Sequence, residues 1–255
     1  MPIRREPAPA LRGLVSSYYG FREETGAPMR RREGPGAEIV VIISFGEKWL
    51  IDGERFTSFA AGLHDVQVTT EHAGRSFGMQ LNLSPLAARM LFGIPLDTIA
   101  RREVPLEDVL PERSLPERLH DAGNWPARFD MLDRVLARRL ADAHPASREI
   151  AWAWRRMRET HGNVAVRSLA EELGWSRRRL VASFRGEVGL PPKTVARLLR
   201  FERARELAEL ADQPDWPRIA FASGYYDQSH LINEFRRVTG RTPVTFFQDQ
   251  RAAAA

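Results

Sequence analysis

The 255-residue sequence predicts an α+β chain. Its first part reads as a small β-barrel or sandwich with helices, and its second as an all-α domain with two helix-turn-helix units joined by a long helix. Three observations carry this reading. Short β-branched runs separated by turn residues crowd the first hundred positions. Apolar residues at three- and four-residue steps take over from about Leu115. A pattern of helix, glycine and helix beginning near Leu169 returns about 50 residues later.

Glu38–Phe45 is an apolar β-branched run ending at Gly46, as a buried strand would. Trp49-Leu50-Ile51 leads into Asp52-Gly53, a tight-hairpin signal, and Arg55–Thr57 resumes beyond it. Phe59–Gly62, Val66–Thr70 and Arg75–Leu81 follow at short intervals, a spacing that suits a small barrel or sandwich. Ser84-Pro85 then opens a helix running to Leu91, with a cap residue and a proline at its first position. Phe129, Leu132, Val135, Leu136 and Leu140 form the apolar stripe of an Arg128–Leu140 helix, which can pack on the barrel or pair with a second chain. His144-Pro145-Ala146-Ser147 breaks it. The expected regions are 1–112, β-rich; 113–147, a helical segment with a possible dimerising role; and 148–250, the helical C-terminal domain.

The composition, 43% hydrophobic and 28% charged, is that of a globular chain. No apolar run is long enough for a membrane-spanning helix. The N-terminus, Met1-Pro2-Ile3-Arg4-Arg5-Glu6-Pro7, lacks the apolar stretch of a signal peptide. With no cysteine, disulfides and thiolate metal sites are excluded. A cytoplasmic protein with no membrane contact is the expectation. Charge is unevenly spread: residues 1–149 hold 20 Lys and Arg against 21 Asp and Glu, whereas residues 150–255 hold 18 against 12. A basic second half suits a polyanionic partner, although a solvated charged face gives the same count.

In the first unit, Ser168 with Glu171 three residues later reads as a capping box, and Gly174 occupies the left-handed turn position. Ser176 caps the next helix, where Leu180, Phe184 and Val188 share an apolar face and Arg177, Arg178 and Arg179 fill the first turn. The second unit repeats this. Ile219–Tyr225 ends in Gly plus an aromatic, Asp227 caps a helix, and Leu231, Phe235 and Val238 form its apolar face. Gln228, Ser229, Ile232 and Asn233 lie off that face, and the amide and hydroxyl groups among them suit hydrogen bonds to base edges. Between the units, Pro192–Leu210 reads as one helix of about 29 Å, close to the roughly 34 Å between successive major-groove segments.

Gly174-Trp175-Ser176, Gly189-Leu190-Pro191-Pro192-Lys193, Arg200-Phe201 and, above all, Ile219-Ala220 through Gly224-Tyr225-Tyr226-Asp227-Gln228-Ser229-His230-Leu231, with Glu234-Phe235-Arg236, Gly240 and Thr242-Pro243, resemble the DNA-binding domain of AraC/XylS-type transcription regulators. The resemblance covers about residues 150–250. It implies a seven-helix domain set in consecutive major grooves of double-stranded DNA. By it, the base-facing positions are Arg178, Val181 and Ala182 of the first helix and Gln228, Ser229 and Asn233 of the second. Arg177 and Ile232 stand beside these as further candidates. Val181 and Ala182 depart from a hydrogen-bonding pattern and are suited only to thymine methyls. Ser168, Ser176, Arg179, Arg185 and Arg241 are the candidate phosphate contacts. His230 suits packing or backbone bonding as well as DNA contact.

The same resemblance implies a cupin-like sensor in the first half that binds a small-molecule effector and mediates dimerisation, and RNA polymerase as a partner if the chain activates transcription. Trp49, Phe56, Phe59, Phe77 and Met79 are the candidate pocket residues, with Arg75 or Gln80 as a polar anchor; core packing is the alternative for each. His64 with Asp65, and Glu71-His72, are the nearest approach to a cupin metal set, and no His-x-His occurs, so neither metal nor cofactor is expected. No nucleophile set, phosphate-cradling loop or two-histidine motif speaks for an enzyme. The expectation is an effector-responsive DNA-binding regulator. A constitutive DNA-binding protein with a purely dimerising first half, or a cupin-type enzyme tethered to nucleic acid, are the alternatives.

Overall fold

A computed structural model describes the backbone of residues 2–254 and the side chains of residues 2–248. Met1 and the side chains of residues 249 and 250, at the end of the expected C-terminal domain, lie outside the described ones.

The strands are β1 (Ile3–Arg5), β2 (Val15–Glu24), β3 (Met29–Glu33), β4 (Ile39–Ser44), β5 (Trp49–Ile51), β6 (Glu54–Phe56), β7 (Phe59–Ala61), β8 (Val68–His72), β9 (Arg75–Leu83) and β10 (Glu103–Pro105). They form two sheets, one of six strands in the order β1-β2-β9-β4-β7-β10 and one of four in the order β3-β8-β5-β6. The described pairings are antiparallel. Asp52 and Gly53, at φ +46° and +92°, make the tight turn that pairs Trp49 with Phe56.

The uninterrupted apolar run of β4 follows from its position. Ile39, Val41 and Ile43 enter the main core beneath the helices, while Val40 and Ile42 face the space between the sheets. The same period of two splits β9: Met79, Leu81 and Leu83 join the helix-side core, whereas Ser76, Gln80 and Asn82 face inward between the sheets. β1, β2, β3 and β10 were not expected from the sequence. β3 is Met-Arg-Arg-Arg-Glu and largely exposed, so it has no apolar alternation to detect.

Four helices complete the first half: α1 (Pro85–Phe92), α2 (Leu106–Val109), α3 (Leu115–Asp121) and α4 (Trp125–Ala141). The Ser84 side chain accepts a hydrogen bond from the Ala87 N–H at 3.2 Å, and Gly93, left-handed at φ +70°, closes α1. Asn124 caps α4 in the same way at 2.9 Å. The apolar stripe of α4, Phe129, Leu132, Val135 and Leu136, is buried within the chain, with Phe129 beside Tyr18 of β2. Arg128 is buried as well. Its guanidinium donates to the carbonyls of Leu119 and His120, both at 2.9 Å, and lies 5.0–5.6 Å from the rings of Trp125, Phe77 and Phe45. That burial holds its pKa below the ordinary arginine value, and the two carbonyls satisfy the donors that desolvation would strand.

Seven helices follow: α5 (Arg148–Glu159), α6 (Val166–Glu172), α7 (Arg177–Val188), α8 (Pro192–Glu209), α9 (Trp216–Ala222), α10 (Gln228–Thr239) and α11 (Pro243–Ala254). The capping box expected at Ser168 is corrected here. α6 begins three residues earlier, after Ala165, and has no side-chain cap. Val164 and Val166 pack against the main core, and that contact, not a serine oxygen, sets where α6 starts.

The apolar core does not break at His144–Ser147. One cluster runs from Tyr18, Ile43 and Leu81 through Leu96 and Ile99 to Leu169, Leu180, Phe184 and Leu199. The first helix-turn-helix unit therefore shares the core of the β region. α7 packs on α1 and on the 3-10 turn at Leu96–Thr98. The second unit has a separate core built from Phe201, Ala204, Ile219, Leu231, Phe235, Val238, Phe246 and Phe247.

α4 lies so close to β2 that a Cβ at Gly20 would overlap the Trp125 ring. Gly20→Val is expected to destabilise the chain by about 1–3 kcal/mol through overpacking, read as a lower denaturation midpoint with unchanged slope. An unchanged midpoint would mean that the ring has room to yield.

Candidate nucleic-acid interface

Both units turn through the same backbone hydrogen bonds. After α6, Gly174 at φ +64° donates to Glu171 O at 3.0 Å and Trp175 donates to Ala170 O at 2.9 Å. After α9, Gly224 at φ +77° donates to Phe221 O at 3.1 Å and Tyr225 to Ala220 O at 2.9 Å. In each case the glycine takes the left-handed position and an aromatic tucks in behind it. Ser176 then accepts from the Arg179 N–H at 3.2 Å and Asp227 from the His230 N–H at 2.7 Å, which sets the first turns of α7 and α10. Leu180 and Phe184 in α7, and Leu231 and Phe235 in α10, are completely buried and fix which face of each helix turns outward.

The duplication is offset by one residue. Gly174 lies 50 positions before Gly224, but Ser176 lies 51 before Asp227, so the second turn contains an additional residue, Tyr226. Tyr226 is 93% exposed, and Phe221 of α9 is 85% exposed. Neither was singled out from the sequence, because an aromatic in such a segment reads first as core.

Arg177, Arg178 and Ala182 are exposed on α7, and Val181 is half-buried. Among the described residues neither Arg177 nor Arg178 has an ion-pair partner. Arg179 is different: its guanidinium lies 4.1 Å from the centre of the Trp175 ring. Arg185, in the last turn of α7, faces Asp97 of the β region at 3.7 Å. Ser176 is exposed and Ser168 half-buried. On α10, Ser229 and Asn233 are exposed, and Gln228 and Ile232 are half-buried. His230 is exposed, with its ring edge-on to Tyr225 at 5.2 Å and its Nδ1 near the Tyr226 N–H at 3.5 Å. The Arg241 N–H donates to Thr239 Oγ1 at 3.2 Å at the end of the unit. α8, 18 residues long, spans about 27 Å between the units.

The two sheets enclose a cavity of about 500 Å³. Trp49, Phe59 and Gln80 line it, together with Phe21, Val40 and Ile42. The other expected pocket residues lie elsewhere. Phe77 and Met79 fall on the opposite face of β9, Phe77 against Phe45 and Trp125 and Met79 in the main core. Phe56 borders a separate open groove beside α2. Arg75 is 74% exposed and faces Glu47 at 3.7 Å. His64 and Glu103 meet at 3.1 Å on the cavity wall, and Arg205 reaches it from α8. His72 faces Glu23 at 3.4 Å, and its Nδ1 accepts from the Gly74 N–H at 3.3 Å. Among the described residues no group of three or more metal-ligating side chains converges, and no helix is long and apolar enough to cross a membrane.

Residues 169–249 match a family model described as a helix-turn-helix domain. Over 69 residues the chain is 35% identical to the uncharacterised HTH-type transcriptional regulator YbfI of Bacillus subtilis strain 168, an alignment covering 27% of this chain and 24% of that protein. The chain thus spans about a quarter of the length of that relative. In three dimensions it is similar to unsaturated fatty acid-bound ToxT of Vibrio cholerae, with a TM-score of 0.52 at 10% identity over 95% of this chain and 96% of the other. The AraC-like transcriptional activator CuxR gives a TM-score of 0.31 at 16% identity, covering 82% and 86%.

Gly174 and Gly224 share a left-handed conformation but not their surroundings. A Cβ at Gly174 meets open space, whereas one at Gly224 would collide with the Asn163 side chain. Gly174→Ala is expected to cost about 1–2 kcal/mol, the strain of a left-handed non-glycine residue, and Gly224→Ala distinctly more. Equal losses in chemical denaturation would contradict the close packing of the second turn on Asn163.

Proposed function

We propose, from the AraC-type helix-turn-helix domain that its C-terminal region forms, that this chain is a sequence-specific DNA-binding transcription regulator and not an enzyme. The observation that carries the reading is the pair of capped helices, α7 and α10, which turn polar side chains of their first turns outward and bury their apolar faces. α7 offers Arg177 and Arg178, and α10 offers Gln228, Ser229 and Asn233. Arginine suits the two acceptors of guanine, and Gln or Asn suits adenine. Arg179, drawn onto Trp175, and Arg185, turned toward Asp97, suit backbone anchoring better than base reading. α10 therefore supplies the larger share of base readout, and α7 the larger share of charge. Double-stranded DNA is the partner, with RNA polymerase a second one if the chain activates transcription, and the site of action is the cytoplasm. A homodimer on a paired operator is part of this reading, through a surface other than the α4 stripe, which is buried within the chain.

Mapping bound genomic DNA identifies the operator on which this is tested. Arg178→Ala and Gln228→Ala are each expected to weaken operator binding by about 1–3 kcal/mol while leaving non-specific binding largely intact. Arg241→Ala is expected to weaken binding to all sequences and to flatten its salt dependence. Full retention of operator affinity and sequence preference by the first two variants in a gel-shift titration would reject this reading face.

The first half, in this proposal, binds an apolar or aromatic effector in the cavity between the sheets. Its apolar walls support this, as does the fold shared with a protein whose structure holds an unsaturated fatty acid. Gln80 serves as polar anchor, a role closed to Arg75 by its exposure. Oleate is the first probe: calorimetry is expected to give saturable 1:1 binding that Val40→Trp, filling the cavity, abolishes. Absence of saturable binding by the unaltered chain would favour a constitutive DNA-binding protein.

A further inference from the structure

The two helix-turn-helix units are attached to the β region by different physics. The first is bonded through apolar core, so it cannot move without exposing Leu180, Phe184 and their neighbours. The second has its own core, and α8 passes from one core to the other between Leu199 and Phe201. At that crossing Glu202 accepts from the Ala37 N–H at 2.6 Å and faces Arg158 at 3.5 Å, which pins α8 to the β region. Beyond it, the described contacts between the β region and the second unit are polar. They gather on the loop between β7 and β8. Asp65 lies 4.0 Å from Arg237 of α10, and 3.6 Å from Arg197 on the part of α8 before the anchor. Arg237 also donates to the Asp65 carbonyl at 3.3 Å, and the Gln67 N–H donates to Val238 O, near the end of α10, at 3.2 Å. Glu234 of α10 closes the cluster against Arg197 at 3.3 Å and Arg237 at 2.7 Å.

The same loop is cavity wall. His64, the residue before Asp65, turns inward to Glu103, while Asp65 turns outward to Arg197, Arg237 and Arg101 of the adjoining loop, the last at 2.6 Å. Adjacent α-carbons lie 3.8 Å apart, so displacing His64 from Glu103 shifts the backbone that aims Asp65. Ion pairs whose arginines reach solvent, as Arg197 and Arg237 do, can trade partners without exposing apolar surface, in contrast to a shared apolar core.

We propose that residues 62–67 couple the cavity to the second reading helix: with His64 seated on Glu103 the Asp65 cluster holds α10 against the β region, and an occupant that unseats His64 frees the second unit while the first stays fixed. This rests on the effector reading given above. The freed body comprises α9, α10 and α11 together with the Phe201–Ala208 part of α8 that shares their core, flexing at the Glu202 anchor and parting from Asn163. Regulation then acts on the relative placement of two reading helices, which must match two successive grooves, and not on either helix alone.

The test uses the full-length chain without ligand, so its outcome does not depend on whether oleate binds. Amide hydrogen exchange is compared in the unaltered chain, in Asp65→Asn, which keeps the shape and removes the charge, and in Glu103→Gln, which alters only the cavity side. Both variants are expected to accelerate exchange in Ile219–Val238 about tenfold or more and to leave Leu169–Phe184 unchanged. Equal acceleration in both units, or none in either, for Asp65→Asn would overturn the tethering. Acceleration by Asp65→Asn with none by Glu103→Gln would overturn the coupling to the cavity. Should Asp65→Asn fold poorly, Arg237→Gln removes the same link from the other side and carries the same expectation.

Discussion

α8 lies in two apolar cores, and the arrangement of the molecule depends on how it does so. Its first half contributes Val195, Leu198 and Leu199 to the cluster that also holds the β-sheet and α7. Its second half contributes Phe201, Ala204 and Ala208 to the cluster beneath α10. A single helix is stiff over 18 residues, so the spacing of the two reading helices is set by covalent geometry. Their rotation about that rod is set by what each unit touches besides it. For the first unit this is the apolar surface of α1 and the turn at Leu96–Thr98; for the second it is Asn163 and the charged loop around Asp65.

The charges in that loop show how burial and pairing compete. Arg101, hydrogen-bonded to Asp65, holds its carboxyl below the ordinary carboxylate range against the opposing pull of burial. Burial raises the pKa of Glu234, but Arg237 and Arg197 more than offset it, and the net direction is again down. Both groups thus contribute stability above their unfolded pKa of about 4, lost as the pH falls through the lower folded values. Glu202 moves the opposite way. It is pushed up by burial, which the Ala37 N–H and Arg158 only partly counter. The anchor on α8 is therefore a carboxyl held at a desolvation cost, whereas in the cluster on α10 the covered carboxylates of Asp65 and Glu234 are offset by their arginine partners.

The β region has an equivalent division. β4 and β9 present one face to the helices and the other to the cavity, and the period of two decides which residues each face receives. The helix-side face is filled by buried side chains of the main core. The inner face carries Trp49, Phe59 and Val40 together with the polar Ser76, Gln80 and Asn82, and leaves about 500 Å³ between the sheets. Charged groups, among them Glu23, Arg31, His64, Glu103 and Arg205, also line it, so the cavity joins an apolar wall to a strongly polar one. Its wall at residues 62–67 continues, without an intervening layer, into the contact with α10.

The local elements were legible in the sequence because their causes are local. The caps at Ser84, Ser176 and Asp227, the left-handed glycines at 174 and 224, and the turn at Asp52-Gly53 each depend on a few neighbouring residues. The i, i+4 apolar pairs of α7 and α10 declared their buried faces, and with them the exposed positions of Arg178, Ser229 and Asn233. Where the causes were distant, the sequence misled or was silent. Ser168 had the form of a cap, but Val164 and Val166 packing on the main core moved the start of α6. Phe77 and Met79 had the composition of pocket residues, but strand pairing turned them to the helix side of β9. β3 had no apolar pattern because its partner, β8, supplies its order through backbone bonds. By itself the sequence determined two capped, glycine-turned helical units on a basic half and a β-rich region before them. Only the tertiary structure decided that the first unit shares its core with that region while the second is held by Asp65 and its arginines. A core is shared only where side chains distant in sequence come within a few ångströms, and local pattern carries no record of that distance.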